Sequence, residues 1–280
     1  MSDLAGAVLA WGVPRLRDLP WRRTRDPWAV LVSEVMLQQT QVARVVPRWE
    51  AFLGRFPTAA SCADASLGDV LREWQGLGYP RRAKNLHATA RRVVDLGGFP
   101  RDLAGLLALP GIGRYTARAV MAFAFELDAS VVDTNVARVY ARVAGARLTP
   151  KGVQAMADDH CPTGDAWAWN QCLIDLGAAL CRPSTPACGE CPIRPMCTWR
   201  GSDAADPAAG SSGVSGHQLR FDGSDRQARG RLMKALSTGP VPRADVSTVM
   251  QRDAVVAERL VGELVAEGLC RATPSTLTLP

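Results

Sequence analysis

Apolar residues recur along residues 1–200 at the three- and four-residue spacing of amphipathic helices, interrupted by Pro, Gly and Asp. The two-residue alternation of strands is almost absent before residue 269. Asp26-Pro27 predicts a helix start, with Asp as N-cap and Pro in the first turn. Thr40 is placed to cap the next helix, which runs to about Gly54. Further helices are predicted over 66–75, 81–96, 103–108, 114–126, 134–144, 151–160 and 166–180, so residues 1–200 read as all-α. Residues 201–216, GSDAADPAAGSSGVSG, have the small-residue composition of a flexible linker. Helical periodicity resumes in 217–280. Ala228, Leu232, Ala235 and Leu236 share one face, PRADVSTVM forms a short second helix, and Val256, Leu260 and Leu264 line a third that stops at Gly268. Leu269–Arg271 and Thr276–Leu279 can pair as a hairpin across Pro274-Ser275. Three helices and a small hairpin predict a winged-helix-like module.

Composition narrows the class. Hydrophobic residues at 47% and charged residues at 21% exclude a disordered chain. No apolar run reaches the roughly 18 residues of a bilayer span. The N-terminal segment lacks the basic start of a secretory signal, which predicts a cytoplasmic protein. The formal net charge is +6, with +6 in residues 1–200, −2 in 201–216 and +2 in 217–280. Such an excess suits a polyanion such as DNA, or equally a solvated basic surface. Lys84, Lys151 and Lys234 are the only lysines, which limits where an amine nucleophile can stand.

Four motifs carry candidate chemistry. Cys181, Cys188, Cys191 and Cys197 give the spacing C-x6-C-x2-C-x5-C, a metal-site pattern in a reducing compartment. The spacing fits one tetrahedral zinc ion or an iron–sulfur cubane. Cys62, Cys161, Cys172 and Cys270 lie among apolar neighbours and read as packed thiols. Leu109-Pro110-Gly111-Ile112-Gly113-Arg114-Tyr115 separates a short helix from a longer one. Its glycines allow a tight turn and close backbone approach, and the N–H groups opening the second helix suit a phosphate. The plain alternative is an ordinary interhelix turn. Glu34 lies in Trp28–Leu37, where eight of ten residues are apolar. A carboxyl buried there is either paired or has a raised pKa, and a raised pKa suits a proton donor. Asp133 precedes the helix beginning at Thr134, whose N–H groups and dipole favour the ionised form. One carboxyl pushed up and one pushed down is the acid-plus-stabiliser arrangement of glycosidic cleavage. The plain alternatives are a structural Glu paired with Arg and a simple N-cap.

In combination, residues 20–197 resemble the A/G-specific adenine DNA glycosylases of the helix-hairpin-helix superfamily. The resemblance is carried by Pro20-Trp21-Arg22, Ser33-Glu34-Val35-Met36-Leu37-Gln38-Gln39-Thr40-Gln41-Val42, Arg55-Phe56-Pro57-Thr58, Gly76-Leu77-Gly78-Tyr79, the hairpin, Asp133-Thr134-Asn135-Val136, Asn170-Gln171, Asp175-Leu176-Gly177 and the four cysteines, in family order. It implies a six-helix barrel with a cluster-bearing helical domain and a DNA-binding cleft between them. It also implies a [4Fe–4S] cluster on Cys181, Cys188, Cys191 and Cys197, and hydrolytic release of adenine mispaired with guanine or 8-oxoguanine. By resemblance Glu34 protonates the leaving base and then activates water, Asp133 stabilises the oxocarbenium-like sugar, and Tyr115 and Asn135 position the nucleotide. Gln39 and Tyr79 wedge into the duplex, Leu37, Gln38 and Thr40 line that surface, and Leu109, Gly111, Gly113 and Arg114 grip the backbone. The target base must leave the stack to be reached. The implied setting is duplex DNA in the cytoplasm, at the nucleoid, with the protein a monomer.

The sequence departs from the family at three points. Pro80 stands where a second Tyr is common, Asp-Thr-Asn replaces Asp-Gly-Asn, and the 64 residues of 217–280 are shorter than the family's recognition domain for 8-oxoguanine. That module suits DNA or a protein partner. Tyr115 occupies the point where a lyase branch carries its Schiff-base Lys, so a monofunctional glycosylase is expected. Two other readings are a thymine or uracil mismatch glycosylase and a non-catalytic iron–sulfur DNA-binding regulator.

Overall fold

The computed structural model describes residues 3–214 and 220–280. Its helices are α1 (Asp3–Gly12), α2 (Pro27–Leu37), α3 (Val42–Arg55), α4 (Ala59–Ala63), α5 (Leu67–Glu73), α6 (Arg81–Asp95), α7 (Leu103–Leu107), α8 (Arg114–Phe123), α9 (Thr134–Ala144), α10 (Pro150–His160), α11 (Ala166–Ala179), α12 (Asp225–Thr238), α13 (Val246–Met250) and α14 (Ala254–Ala266). The strands are β1 (Val241–Pro242), β2 (Arg271–Ala272) and β3 (Thr276–Thr278). The periodicity therefore located the middle of the chain closely. It missed α1 and α4, which are short and rich in small residues. The chain divides into two compact units: Met1–Val30, Arg101–Leu107 and Ile112–His217 form one, and Leu31–Pro100, Ala108–Gly111 and Gln218–Pro280 the other.

The first unit is built around α11. Trp169, Cys172, Leu173 and Leu176 of that helix pack with Leu4, Ala5 and Val8 of α1 and with Val136, Val139 and Tyr140 of α9. Each such fully buried large side chain contributes about 1.5–3 kcal/mol of apolar transfer energy. Gly12 brings α1 against α11 so closely that a Cβ there would lie 2.5 Å from Cys172 Sγ. A buried ion pair fixes the entry to α2: Asp175 of α11 accepts from Arg22 Nη1 at 2.7 Å and Nη2 at 2.8 Å. Ile193, inside the cysteine-rich loop, is buried in the same core and anchors that loop.

The segment expected as a flexible linker is held against this unit over its described part. Arg142 grips Asp206 (Nη2–Oδ2 2.6 Å), Leu148 N donates to Ser211 Oγ at 3.1 Å, Ser212 N donates to Leu148 O at 2.9 Å, and Ala208 is buried. Small side chains let the backbone lie close to α9, so composition alone read as slack what packing holds. The expected junction at residues 216 and 217 lies outside the described residues.

The second unit stacks Phe52 edge-on against Phe56 and Trp74, with centroids 5.1 and 5.9 Å apart, and buries Leu71 and Leu86 as well. The C-terminal segment is a winged helix: α12, β1, α13, α14 and then β2 and β3, with antiparallel order β1-β3-β2 and Val241 opposite Leu277. Leu232, Leu236, Met250, Leu260, Leu264 and Leu277 form its core. It packs on the earlier part of the same unit, where Gln75 Nε2 donates to Met233 O at 3.2 Å and Lys84 Nζ to Glu267 O. Burial pushes the Cys62 thiol up to about 12, and those of Cys172 and Cys270 up to about 11, as packed thiols require. No described helix is long and apolar enough to cross a membrane.

Candidate active site

In the second unit, Glu34 is 5% exposed on α2, beside the buried Leu31, Val32, Val35 and Met36. α2 ends at Leu37, which is half-buried like Gln38 and Thr40, while Gln39 is exposed in the left-handed region at φ 56°. Two of the carbonyls that a helix end leaves without intrahelical partners, and others in the loops beyond it, are taken up by one side chain, Arg82 of α6. Its Nη1 donates to Val35 O at 2.8 Å, Met36 O at 3.0 Å and Gln38 O at 2.6 Å. Its Nη2 donates to Leu77 O at 2.8 Å, Gly78 O at 3.1 Å and Thr40 Oγ1 at 3.2 Å. Arg82 thus ties the loop after Glu34 to the loop carrying Tyr79. Burial lowers its pKa to about 10, which leaves it charged at neutral pH. This corrects the expectation for Thr40. α3 begins one residue later, its N-cap Gln41 makes no side-chain cap, and the Thr40 hydroxyl serves Arg82 instead. Tyr79 is 39% exposed at φ 47°.

The hairpin residues adopt the expected turn. Leu109 is buried, and Gly111 has φ 73° with a Cβ position only 2.5 Å from Asn85 Nδ2, so a side chain is excluded twice over. Thr89 Oγ1 donates to Pro110 O at 2.7 Å. Gly113 is the N-cap of α8, followed by the exposed Arg114 and the half-buried Tyr115.

In the first unit, Asp133 is the N-cap of α9. Val136 N donates to its Oδ1 at 2.7 Å and Asn135 Nδ2 to its Oδ2 at 2.8 Å. The chain of contacts continues: Arg138 Nη2 donates to Asn135 Oδ1 at 2.8 Å and to Gly177 O at 2.7 Å, and Arg138 Nε donates to Cys181 O at 2.6 Å. A Cβ on Gly177 would stand 2.7 Å from that of Asn135, so close packing of α9 on α11 holds the amide in place. Upstream, Asn170 accepts from Val131 N at 2.8 Å and donates to Ala129 O at 2.9 Å, fixing the run into Asp133. The expected ionised-favoured Asp133 is corrected in direction. The side chain keeps some exposed area, yet protein surrounds the carboxyl. This burial pushes its pKa up despite the opposing bonds from Val136 and Asn135 and the charge of Arg138.

Cys181, Cys188, Cys191 and Cys197 line one pocket, open to solvent, together with Val139, Leu180 and Ile193. Arg142 orders its rim, donating from Nη1 to Cys181 Sγ at 3.3 Å and to Arg182 O at 2.8 Å, while its own carbonyl accepts from Cys197 Sγ at 3.2 Å. Gly201 leaves room for Cys188, whose Sγ would be 2.7 Å from a Cβ there. Among the described residues no three His, Cys, Asp or Glu side chains are grouped to share one metal ion.

Arg82 and Arg138 had not been singled out from the sequence, and Asn170 entered only as part of a family motif. Arg138 and Arg142 did carry a signal. They stand four apart in TNVARVYARVA, an otherwise mostly apolar helix, which places buried cations on one face. Nothing in the pattern separates Arg82 from the exposed arginines of α6.

Residues 32–162 match the model of the HhH-GPD superfamily base excision DNA repair proteins. The chain is 43% identical to an adenine DNA glycosylase of Mycolicibacterium smegmatis, over 98% of this chain and 94% of that one. It is 40% identical to the human adenine DNA glycosylase over 77% of this chain and 43% of that one. Among solved structures, a thermostable thymine-DNA glycosylase superposes with a TM-score of 0.68 at 30% identity, covering 71% of this chain and 95% of that one. An endonuclease III trapped covalently on DNA superposes at 0.62 and 25% identity, covering 71% of this chain and 95% of that one. The fold, the ordered motifs and an identity that extends through the winged helix together establish that the chain belongs to the adenine DNA glycosylases of the HhH-GPD superfamily.

Proposed function

We propose that this chain is a base-excision-repair glycosylase that hydrolyses the N-glycosidic bond of adenine opposite guanine or 8-oxoguanine in duplex DNA. The observation that carries this reading is the identity to adenine DNA glycosylases over nearly the whole chain, and the segments holding Glu34 and Asp133 resemble that family's motifs. Glu34 in its acid form gives a proton to a ring nitrogen of the leaving adenine. The bond between the sugar's anomeric carbon and the base breaks, and its electron pair leaves with the base. The Asp133 carboxylate balances the positive charge left on the sugar. Water then adds to the anomeric carbon and returns its proton to Glu34. Asn135 orients the Asp133 carboxylate through its 2.8 Å bond, and Tyr115 packs against the bound nucleotide. A phenol forms no imine, so the reaction stops at base release. Leu37, Gln38, Gln39, Thr40 and Tyr79 meet the duplex, and the Leu109–Arg114 turn holds its phosphates through backbone N–H groups.

The donor set and the cavity fit a [4Fe–4S] cluster held by Cys181, Cys188, Cys191 and Cys197. Bound there, the cluster supplies a four-point cross-link of the loop to the end of α11. Arg142 orders the rim around it, and Arg138 joins Cys181 O to Asn135.

Single-turnover assays on duplexes carrying A·8-oxoguanine, A·G and T·G test the reading. Adenine release from the first two is expected. Release of thymine but not adenine, or tight binding with no release, overturns it.

A further inference from the structure

Tyr79 combines three properties. Its backbone is left-handed at φ 47°, which an aromatic residue keeps only under restraint. Its ring remains 39% exposed. Its phenol is nevertheless bonded, since Oη accepts from Arg226 Nη1 at 2.8 Å. One restraint is local: Arg82 bonds the carbonyls of Leu77 and Gly78 and sits 5.5 Å from the Tyr79 ring centroid. The other comes from the first turn of α12, in the winged helix.

The winged helix is seated without that bond. Gln75 and Lys84 hold Met233 O and Glu267 O, and Gly68 lacks the Cβ that would stand 2.8 Å from Pro280 O. The neighbouring Asp225 is bonded to Arg259 at 2.7 Å. The ring of Phe221, 55% exposed, lies 5.8 Å from the guanidinium carbon of Arg226. One guanidinium thus touches two exposed aromatic side chains, the ring of Phe221 and the hydroxyl of Tyr79, and exposed rings with a cation beside them are the chemistry of base stacking.

In helix-turn-helix modules the second helix of the pair enters the major groove. Here that helix is α14, and it is poorly suited to phosphates. It carries Glu258 and Glu263, with Glu267 just beyond its end, and its single Arg259 is already bonded to Glu263 and Asp225. The start of α12 instead presents Arg226 and the exposed Phe221.

We propose that Arg226 is a positioning residue for Tyr79, through which the winged helix, with Phe221 alongside, presents a stacking platform to the bases of a mispaired duplex. The proposal rests on the glycosylase reading above.

The test uses the full chain and its Arg226→Ala, Arg226→Lys, Tyr79→Phe and Arg226→Ala/Tyr79→Phe variants. Tyr79→Phe keeps the ring and removes the acceptor oxygen. Affinity is measured for an A·8-oxoguanine duplex and for its fully paired counterpart, alongside single-turnover adenine release. Each alanine or phenylalanine variant is expected to lower the preference for the mispaired duplex by about three- to tenfold. The double variant should be no worse than the worse single one, and Arg226→Lys should recover part of the loss. Equal weakening on both duplexes identifies a generic phosphate contact and overturns the proposal, as do an unchanged preference or losses that multiply in the double variant. If the unaltered chain excises adenine and the variants match it, only the role of Arg226 falls. If the unaltered chain releases no adenine, the glycosylase reading falls and takes this one with it.

Discussion

Replacing Asp175 with Asn tests the ion pair that ties α11 to the segment leading into α2. Asp175 is 4% exposed and Arg22 8% exposed, and the two meet in a bidentate pair at 2.7 and 2.8 Å. Arg17 adds bonds from Nε at 2.7 Å and from its backbone N at 3.1 Å. The Arg17 side chain is 41% exposed, so its share is on the order of 0–1 kcal/mol. The larger share belongs to Arg22, which the variant leaves buried against a neutral amide whose NH₂ faces its own donors. Breaking a buried pair from one side costs roughly 3–5 kcal/mol, and because Asn retains one acceptor the expected loss is about 3 kcal/mol. Urea unfolding followed by tryptophan fluorescence at pH 7 should move its midpoint down by on the order of 1 M. Burial pulls the Asp175 pKa up, but the hydrogen bonds and charges of Arg22 and Arg17 outweigh it and hold the carboxyl below the usual 3.8. A depressed folded-state pKa gives stability that is fully present above 3.8 and is lost as pH falls through the folded value. The gap between the natural protein and the variant should therefore be widest near neutrality and narrow in acid. A variant within about 1 kcal/mol of the natural protein at pH 7, or a gap that stays constant into acid, would refute the reasoning.

Three further outcomes are expected. Glu34→Gln should still bind mispaired duplex while its single-turnover excision rate falls by orders of magnitude, and an unchanged rate removes Glu34 from the chemistry. Excision by the natural protein should decline on the acid side at a pH above 3.8, because burial raises the pKa of Asp133 and its charge is lost as pH falls through that raised value; a rate–pH profile flat down to 3.8 contradicts this. Cys188→Ala should lose bound iron and the visible absorption of an iron–sulfur protein, and retention of both refutes its assignment as a ligand.

Much of this molecule was legible along the chain. Apart from α4, the helices from α2 to α11 follow from apolar spacing and from caps such as Asp133 before Thr134, because both signals are local and act within one or two turns. The spacing of Cys181, Cys188, Cys191 and Cys197 marked four thiols that line one pocket, and the burial of Glu34 followed from the apolar residues around it. Other features depend on residues far apart in sequence. Arg82 looks like any exposed helical arginine until the end of α2 turns its carbonyls toward it. Asp133 reads as a cap that favours charge, and only the protein packed around it reverses the direction of its pKa. Residues 201–214 read as slack because small side chains give no periodicity, yet those same small side chains allow close approach to α9. Arg226 and Tyr79 are 147 positions apart, and nothing local joins them. The sequence by itself determined which segments become helices and which side chains can ligate or exchange a proton, since these depend on spacing and intrinsic chemistry. Tertiary structure alone decided desolvation and partner choice, since both depend on which distant atoms take the place of water.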